Sequence, residues 1–374
     1  MSPGGLRSIR VGGFLAALAI RLGFLLSFPG DFDTDSYEIV AGILRHGGDL
    51  YAETNRYNYS PAWGFVVAGV QIAAEKTGVR FVVAIGLLLL AVDAATALLV
   101  YRLARRRAGD ARSALASLLF FANPISVLMS GYHCQFDNVS ILFLLLAIEI
   151  EGRDEGSARA VPVALSLSAS VLFKHATWFH PLLFARRQGR SAGRFLPVVL
   201  PYAVFLASFL PYWRSWKSIG WNVFLHRGLT GYYGIEAIQL LSWMPQSGLF
   251  LTAIFVVAAL VAVIRFRQLE RVRASLLLFL VILVFLPGFQ GQYCVWPLAL
   301  GALAPSLGYL VYTVASGSFL TNIVLALYRT MPWLPGWYAP WWAAVFWLLW
   351  ELRALSLERA RERSGLRSPA GTLR

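Results

Sequence analysis

Apolar runs of roughly the ~20 residues that a membrane-crossing helix needs recur from residue 11 to residue 352. Nothing else in the sequence limits the fold as strongly. Inside a bilayer every backbone N–H and C=O must find its partner within the protein, so a crossing segment is a helix or part of a closed barrel. These runs are rich in Leu, Ala and Val and lack strict alternation, which selects helices. Of 374 residues, 58% are hydrophobic and 14% charged. That excludes a soluble enzyme with one large core and fits an all-α polytopic membrane protein, one transmembrane domain over residues 1–374. Arg7 and Arg10 precede the first run and no small-residue cleavage site follows it, so it reads as an anchor. Cys134 and Cys294 are the only cysteines, and two unrelated thiols are a better expectation than a bridge.

The net charge of +14 raises nucleic acid as a partner, but its distribution argues against it. The cations are nearly all Arg and cluster in short loops between apolar runs, the pattern that insertion energetics imposes on cytoplasmic loops. The clusters are Arg102 to Arg112, Arg186 to Arg194, Arg265 to Arg273, and the basic tail 353–374. If all are cytoplasmic, an even number of crossings separates each from the next. One threading satisfies this, with segments at 9–28, 81–101, 113–130, 136–150, 160–173, 176–185, 195–213, 246–264, 274–287, 294–313, 316–330 and 338–352. It gives about twelve spans of a plasma membrane, both termini cytoplasmic, and a long first outer loop at 29–80. Within that loop residues 61–74 are apolar, and read as a re-entrant or surface-lying helix covered by protein.

This threading sorts the polar motifs onto one face. Gly30-Asp31-Phe32-Asp33-Thr34-Asp35-Ser36-Tyr37 places three carboxylates in five residues at the end of the first segment. Gly131 to Asn138, Lys174-His175, His180, Gly288 to Tyr293 and residues 333–338 share that side. Residues 35–46 alternate in helical fashion and predict a short interfacial helix. Two charges, Arg21 and Asp93, fall inside segments, where ionisable groups are functional candidates or structural partners.

Chemistry follows from residue types. Asp33 and Asp35 are candidate catalytic groups: a carboxylate at the membrane face serves as general base on a hydroxyl, or shares a divalent cation (Mg²⁺ or Mn²⁺) with its neighbour. Arg56, Lys174 and His175 are candidates for a lipid phosphate. Tyr57, Tyr59, His133, Gln135, Asp137, Gln290, Gln292 and Tyr293 are candidates for a sugar or an acceptor. The histidines lack the spacing of a zinc site.

Asp33-Thr34-Asp35-Ser36-Tyr37 followed by Gly48-Asp49 resembles the acidic first outer loop of lipid A aminoarabinose transferases and protein O-mannosyltransferases. Arg56-Tyr57-Asn58-Tyr59-Ser60-Pro61, Asp93 to Leu103, Asn123-Pro124, and Lys174 before Pro181 resemble the GPI mannosyltransferase I catalytic subunit and its bacterial relatives. His133 to Asn138 is similar to an outer motif of the glucosyl- and mannosyltransferases of N-glycan assembly. The resemblance, to glycosyltransferases of the GT-C fold, covers residues 8–190. Residues 191–352 match only in hydropathy. It implies a polyprenyl-phosphate hexose donor, commonly mannose, and inverting transfer to a lipid, glycan or protein hydroxyl. Asp33 takes the family's catalytic aspartate position, with an extra Asp on either side. A lipid-linked-glycan flippase or transporter, and a polysaccharide polymerase or ligase, are the alternatives.

Overall fold

The computed structural model describes residues 3–28, 30–153, 159–185, 192–226, 248–327 and 339–364, and among them regular structure is entirely helical. The helices are α1 (Pro3–Ser27), α2 (Phe32–Arg45), α3 (Pro61–Thr77), α4 (Phe81–Arg105) and α5 (Asp110–Phe121). They continue with α6 (Pro124–Ser126), α7 (Asp137–Glu151), α8 (Ala160–Phe173), α9 (Leu196–Ala207) and α10 (Trp216–Ile219). The last are α11 (Gly248–Phe266), α12 (Arg271–Phe285), α13 (Leu298–Leu303), α14 (Leu307–Leu327) and α15 (Ala339–Arg363). Residues 333–338, expected on the outer face, lie outside the described residues.

Three described helices are long and apolar enough to cross a membrane, and six if each bent helix pair counts as one span. The twelve expected segments do not all become such helices. α7 and α8 have 15 and 14 residues, a rise of only ~21–23 Å against a hydrocarbon core of ~30 Å. Segment 176–185 is not a crossing helix. It forms 3₁₀ turns at His175–Thr177 and His180–Phe184, a geometry that does not propagate far.

The chain forms two compact units, one of Val11–Leu99 with Ser126–Arg227, the other of Met1–Arg10, Val100–Ile125 and Gly228–Arg374. In the first unit, Gly30 at φ 107° turns the chain out of α1, a conformation open mainly to glycine. Asp31 then caps α2: its side chain accepts from the amides of Asp33 and Thr34, and Thr34 Oγ1 accepts from the Asp31 amide at 2.7 Å. Asp33 and Asp35 occupy the first turn and Arg45 the last, matching the helix dipole. The cap explains why α2 begins at Phe32, three residues before the position that periodicity suggests. Asp31→Ala is expected to cost about 1 kcal/mol of stability, and Asp31→Asn much less, in equilibrium unfolding of the purified protein. Equal losses would deny the cap its role.

Residues 61–74 fall in α3, which starts with Ser60 as cap and Pro61 in the first turn. α3 packs along α2 and buries Trp63, Gly64 and Val67. The hydroxyl of Ser60 reaches the carbonyl of Leu172, which ties the loop to the end of α8.

Arg21 and Asp93 meet within this unit, 1% and 0% exposed. Arg21 Nη1 donates to Asp93 Oδ2 at 2.5 Å and to Ser130 Oγ at 2.6 Å, while Nη2 reaches Ser126 Oγ at 3.0 Å. Asn138 Nδ2 donates to the other oxygen of Asp93 at 2.5 Å. Ser126 at the end of α6, Ser130 in the short π-helical stretch Val127–Tyr132 and Asn138 at the start of α7 surround the pair.

The second unit centres on α12, which is buried on nearly every side and carries no amphipathic stripe. α11 and α15 both pack on it. Gly301 and Gly308 leave room for the Trp347 ring, which any Cβ there would meet. Cys294 is a free thiol in this unit and Cys134 a free thiol in the other.

Candidate active site

The site builds on three short pieces of the first unit: the start of α2, the link 133–137, and the break after α8. Asp33 is half-buried in the first turn of α2, and Gln135 Nε2 donates to its Oδ2 at 2.6 Å. Burial raises the Asp33 pKa, the Asp31 charge raises it further, and the Gln135 bond, Lys174 and His133 partly offset this. His133 Nδ1 lies 3.3 Å from Asp31 Oδ2. Between His133 and Gln135 sits Cys134 at φ 49°, left-handed backbone that a non-glycine residue adopts at a cost. That twist sets the two polar neighbours toward the two carboxylates.

α8 stops at Phe173, and Lys174 continues in extended conformation. Ser140 and Ser170 exchange hydrogen bonds to each other's carbonyls at 2.7 Å, pinning α7 to α8 at this level. Lys174 Nζ then reaches Asp137 Oδ2 at 3.0 Å, both buried. The ammonium also stands 4.4 Å from the centre of the Tyr59 ring and 4.7 Å from that of Phe136. Phe136 in turn stacks on Trp63 at 4.0 Å, and Tyr37 sits 5.7 Å from Trp63.

Three atoms in this cluster are buried without a hydrogen-bond partner among the described residues: Tyr37 Oη, Gln135 Oε1 and Trp63 Nε1. A buried polar atom left unpaired costs about 1–3 kcal/mol. Two donors and an acceptor of this kind, around a carboxylate of raised pKa and aromatic faces, could hydrogen-bond a hydroxyl group.

The structure therefore brings together Asp33, Tyr59, His133, Gln135, Asp137 and Lys174. Asp35, two positions on, points about 200° away around the helix and is exposed. The helix thus turns the neighbouring carboxylates of Asp33 and Asp35 to different faces. Among the described residues no group of three His, Cys, Asp or Glu side chains has metal-holding geometry. Asp137, expected on sugar hydroxyls, is the counter-ion of Lys174, so the charge of Lys174 is already matched. His175 is half-buried, and desolvation, with Lys174 and His226 nearby, pushes its pKa down to about 3. It is neutral at physiological pH and brings no charge to a phosphate. Tyr57 is 1% exposed, and its hydroxyl bonds the Ser60 carbonyl and the Gly64 amide, so it holds the loop's core. Arg56 lies 3.8 Å over the Phe32 ring and donates to the Phe32 carbonyl at 2.8 Å, beside Asp33. Gln290, Gln292 and Tyr293 belong to the other unit, where Gln292 bonds Gln290 and Tyr293 stacks on Trp296.

Tyr37, Trp63 and Phe136 were not among the expected site residues. Tyr37 is legible afterwards, since it falls one turn from Asp33 on the same helix face. Trp63 and Phe136 carry no such local signal.

No family model matches the chain, and neither the curated proteins nor the solved structures provide a match. The functional reading rests on the site.

Proposed function

We propose that this chain is a membrane glycosyltransferase of GT-C type. It moves a hexose from a polyprenyl-phosphate donor to a hydroxyl of a lipid, glycan or protein at the extracytoplasmic face of the plasma membrane. The observation that carries the reading is Asp33, whose pKa is raised and whose carboxylate Gln135 fixes among unpaired buried polar atoms and aromatic faces. A carboxylate of raised pKa accepts a proton more readily than an ordinary one.

In the reaction the acceptor O–H gives its proton to Asp33. The oxygen attacks the anomeric carbon, the bond from that carbon to the phosphate oxygen breaks, and configuration inverts. The polyprenyl phosphate leaves with the electron pair. Arg56 is the cation suited to receive it, being beside Asp33 with no carboxylate partner among the described residues. Lys174 acts differently: paired with Asp137, it steadies the negative charge on Asp33 from within the protein.

A radiolabelled polyprenyl-phosphate hexose supplied to the purified chain in proteoliposomes tests the proposal. The expected result is label in an acceptor product with release of polyprenyl phosphate. Label that crosses the bilayer unconsumed identifies a transporter instead. Turnover only with pyrophosphate-linked donors identifies a polymerase or ligase.

A further inference from the structure

A groove of ≈ 1030 Å³ runs between α11 and α15 with α12 as its floor. That is at the upper end of the ~300–1,000 Å³ typical of ligand pockets. One wall is a single face of α11, where Ile254, Val257 and Val261 recur at helical spacing before Arg265. The other is a face of α15, where Leu352 and Leu355 lead to Arg359 and Arg363. Both helices run toward the same end of the groove, so their arginines converge there. At that end an adjoining pocket of ≈ 630 Å³ is lined by Arg265, Arg267, Gln268, Arg359 and Arg363.

The charge at that end is unbalanced. Of the nearby acids, Glu358 pairs with Arg273 at 2.5 Å, Glu270 pairs with Arg107, and Glu362 lines neither pocket. Arg265, Arg267, Arg359 and Arg363 have no acidic partner within 4.0 Å among the described residues. Arg267 Nε is buried without a hydrogen-bond partner among them. Insertion energetics explains arginines in a loop, but not four of them gathered at the mouth of an apolar groove. Like charges so placed repel unless an anion joins them. The walls call for hydrocarbon, and the end calls for a phosphate.

We infer that this groove is a binding site for an anionic glycerophospholipid, with an acyl chain against α11 and α15 and the headgroup phosphate on the four arginines. The site lies wholly in the second unit and does not depend on the glycosyltransferase reading.

Native mass spectrometry of the full chain tests it, after delipidation in detergent and titration with phosphatidylglycerol, phosphatidylcholine or inorganic phosphate. Phosphatidylglycerol is expected to stay bound where phosphatidylcholine dissociates. Retention should fall about tenfold or more in the double variant R359Q/R363Q. Val257→Trp, which fills the groove, should weaken it similarly. Arg353→Gln, away from the groove, should not. Should V257W fail to fold, the arginine pair decides, because Arg363 is exposed and Arg359 half-buried. Equal retention of both lipids would mean ordinary surrounding lipid and overturn the site. So would thermal protection by inorganic phosphate alone, or a lipid-independent dimer that V257W disrupts.

Discussion

Asp33→Asn is expected to lower transfer by about 10²–10⁴-fold, the range that a positioned general base contributes. The variant keeps the shape of the residue and the contact with Gln135, so the melting temperature and donor binding should change little. The loss belongs in kcat. Asp35→Asn should remain within a few-fold of the parent, since Asp35 is exposed on the opposite side of α2. Asp31→Asn should act mainly through the neighbouring charge on Asp33. The pH profile gives a second readout. Burial raises the Asp33 pKa above the ordinary carboxylate value, so Asp33 becomes protonated at a higher pH than usual as the medium is acidified. Activity should fall on the acid side at that raised value. Its limb should move upward in Gln135→Glu, which replaces the hydrogen bond that lowers the Asp33 pKa with a second carboxyl group. Wild-type turnover in Asp33→Asn would remove the proposed base, and a collapse in Asp35→Asn alone would move it by two residues.

The sequence and the structure agree where the signal is local. Helical composition, the apolar runs of α4 and α11, and a helix near residues 35–46 all follow from periodicity and length, whereas α14 runs unbroken through the expected break between segments 294–313 and 316–330. Asp33, Gln135 and Lys174 were legible as polar residues at helix ends. What was not legible depends on contacts across many residues. Nothing in the order of residues shows that Asp137 neutralises Lys174, or that Phe136 stacks on Trp63, because those pairs form only when separate helices pack. Tyr57 shows the converse. Its place beside Arg56 suggested a sugar contact, yet its hydroxyl is consumed by two backbone groups of its own loop. The placement of Asp33 and Asp35 on different faces was likewise not legible, because it follows from the capping box of Asp31, which starts a helix one residue later.

The buried pair of Arg21 and Asp93 gives the largest expected effect on stability. Removing either partner leaves a buried charge with only the neutral groups of Ser126, Ser130 and Asn138 around it, a loss of about 3–5 kcal/mol. Arg21→Ala and Asp93→Ala should each lower yield and unfolding temperature sharply. The double replacement Arg21→Met with Asp93→Leu should recover much of the loss, because it removes both charges and restores volume. A double variant as unstable as the singles would show that the hydrogen bonds, not the charge balance, hold the unit together. Function then separates from stability. Asn138 donates to Asp93 and is adjacent to Asp137, so the pair also fixes the start of α7, from which Asp137 meets Lys174. A recovered fold with reduced transfer is therefore expected from the double variant. Asn138, losing its acceptor, no longer holds Asp137 in register, and Lys174 drifts from the carboxylate it helps to steady.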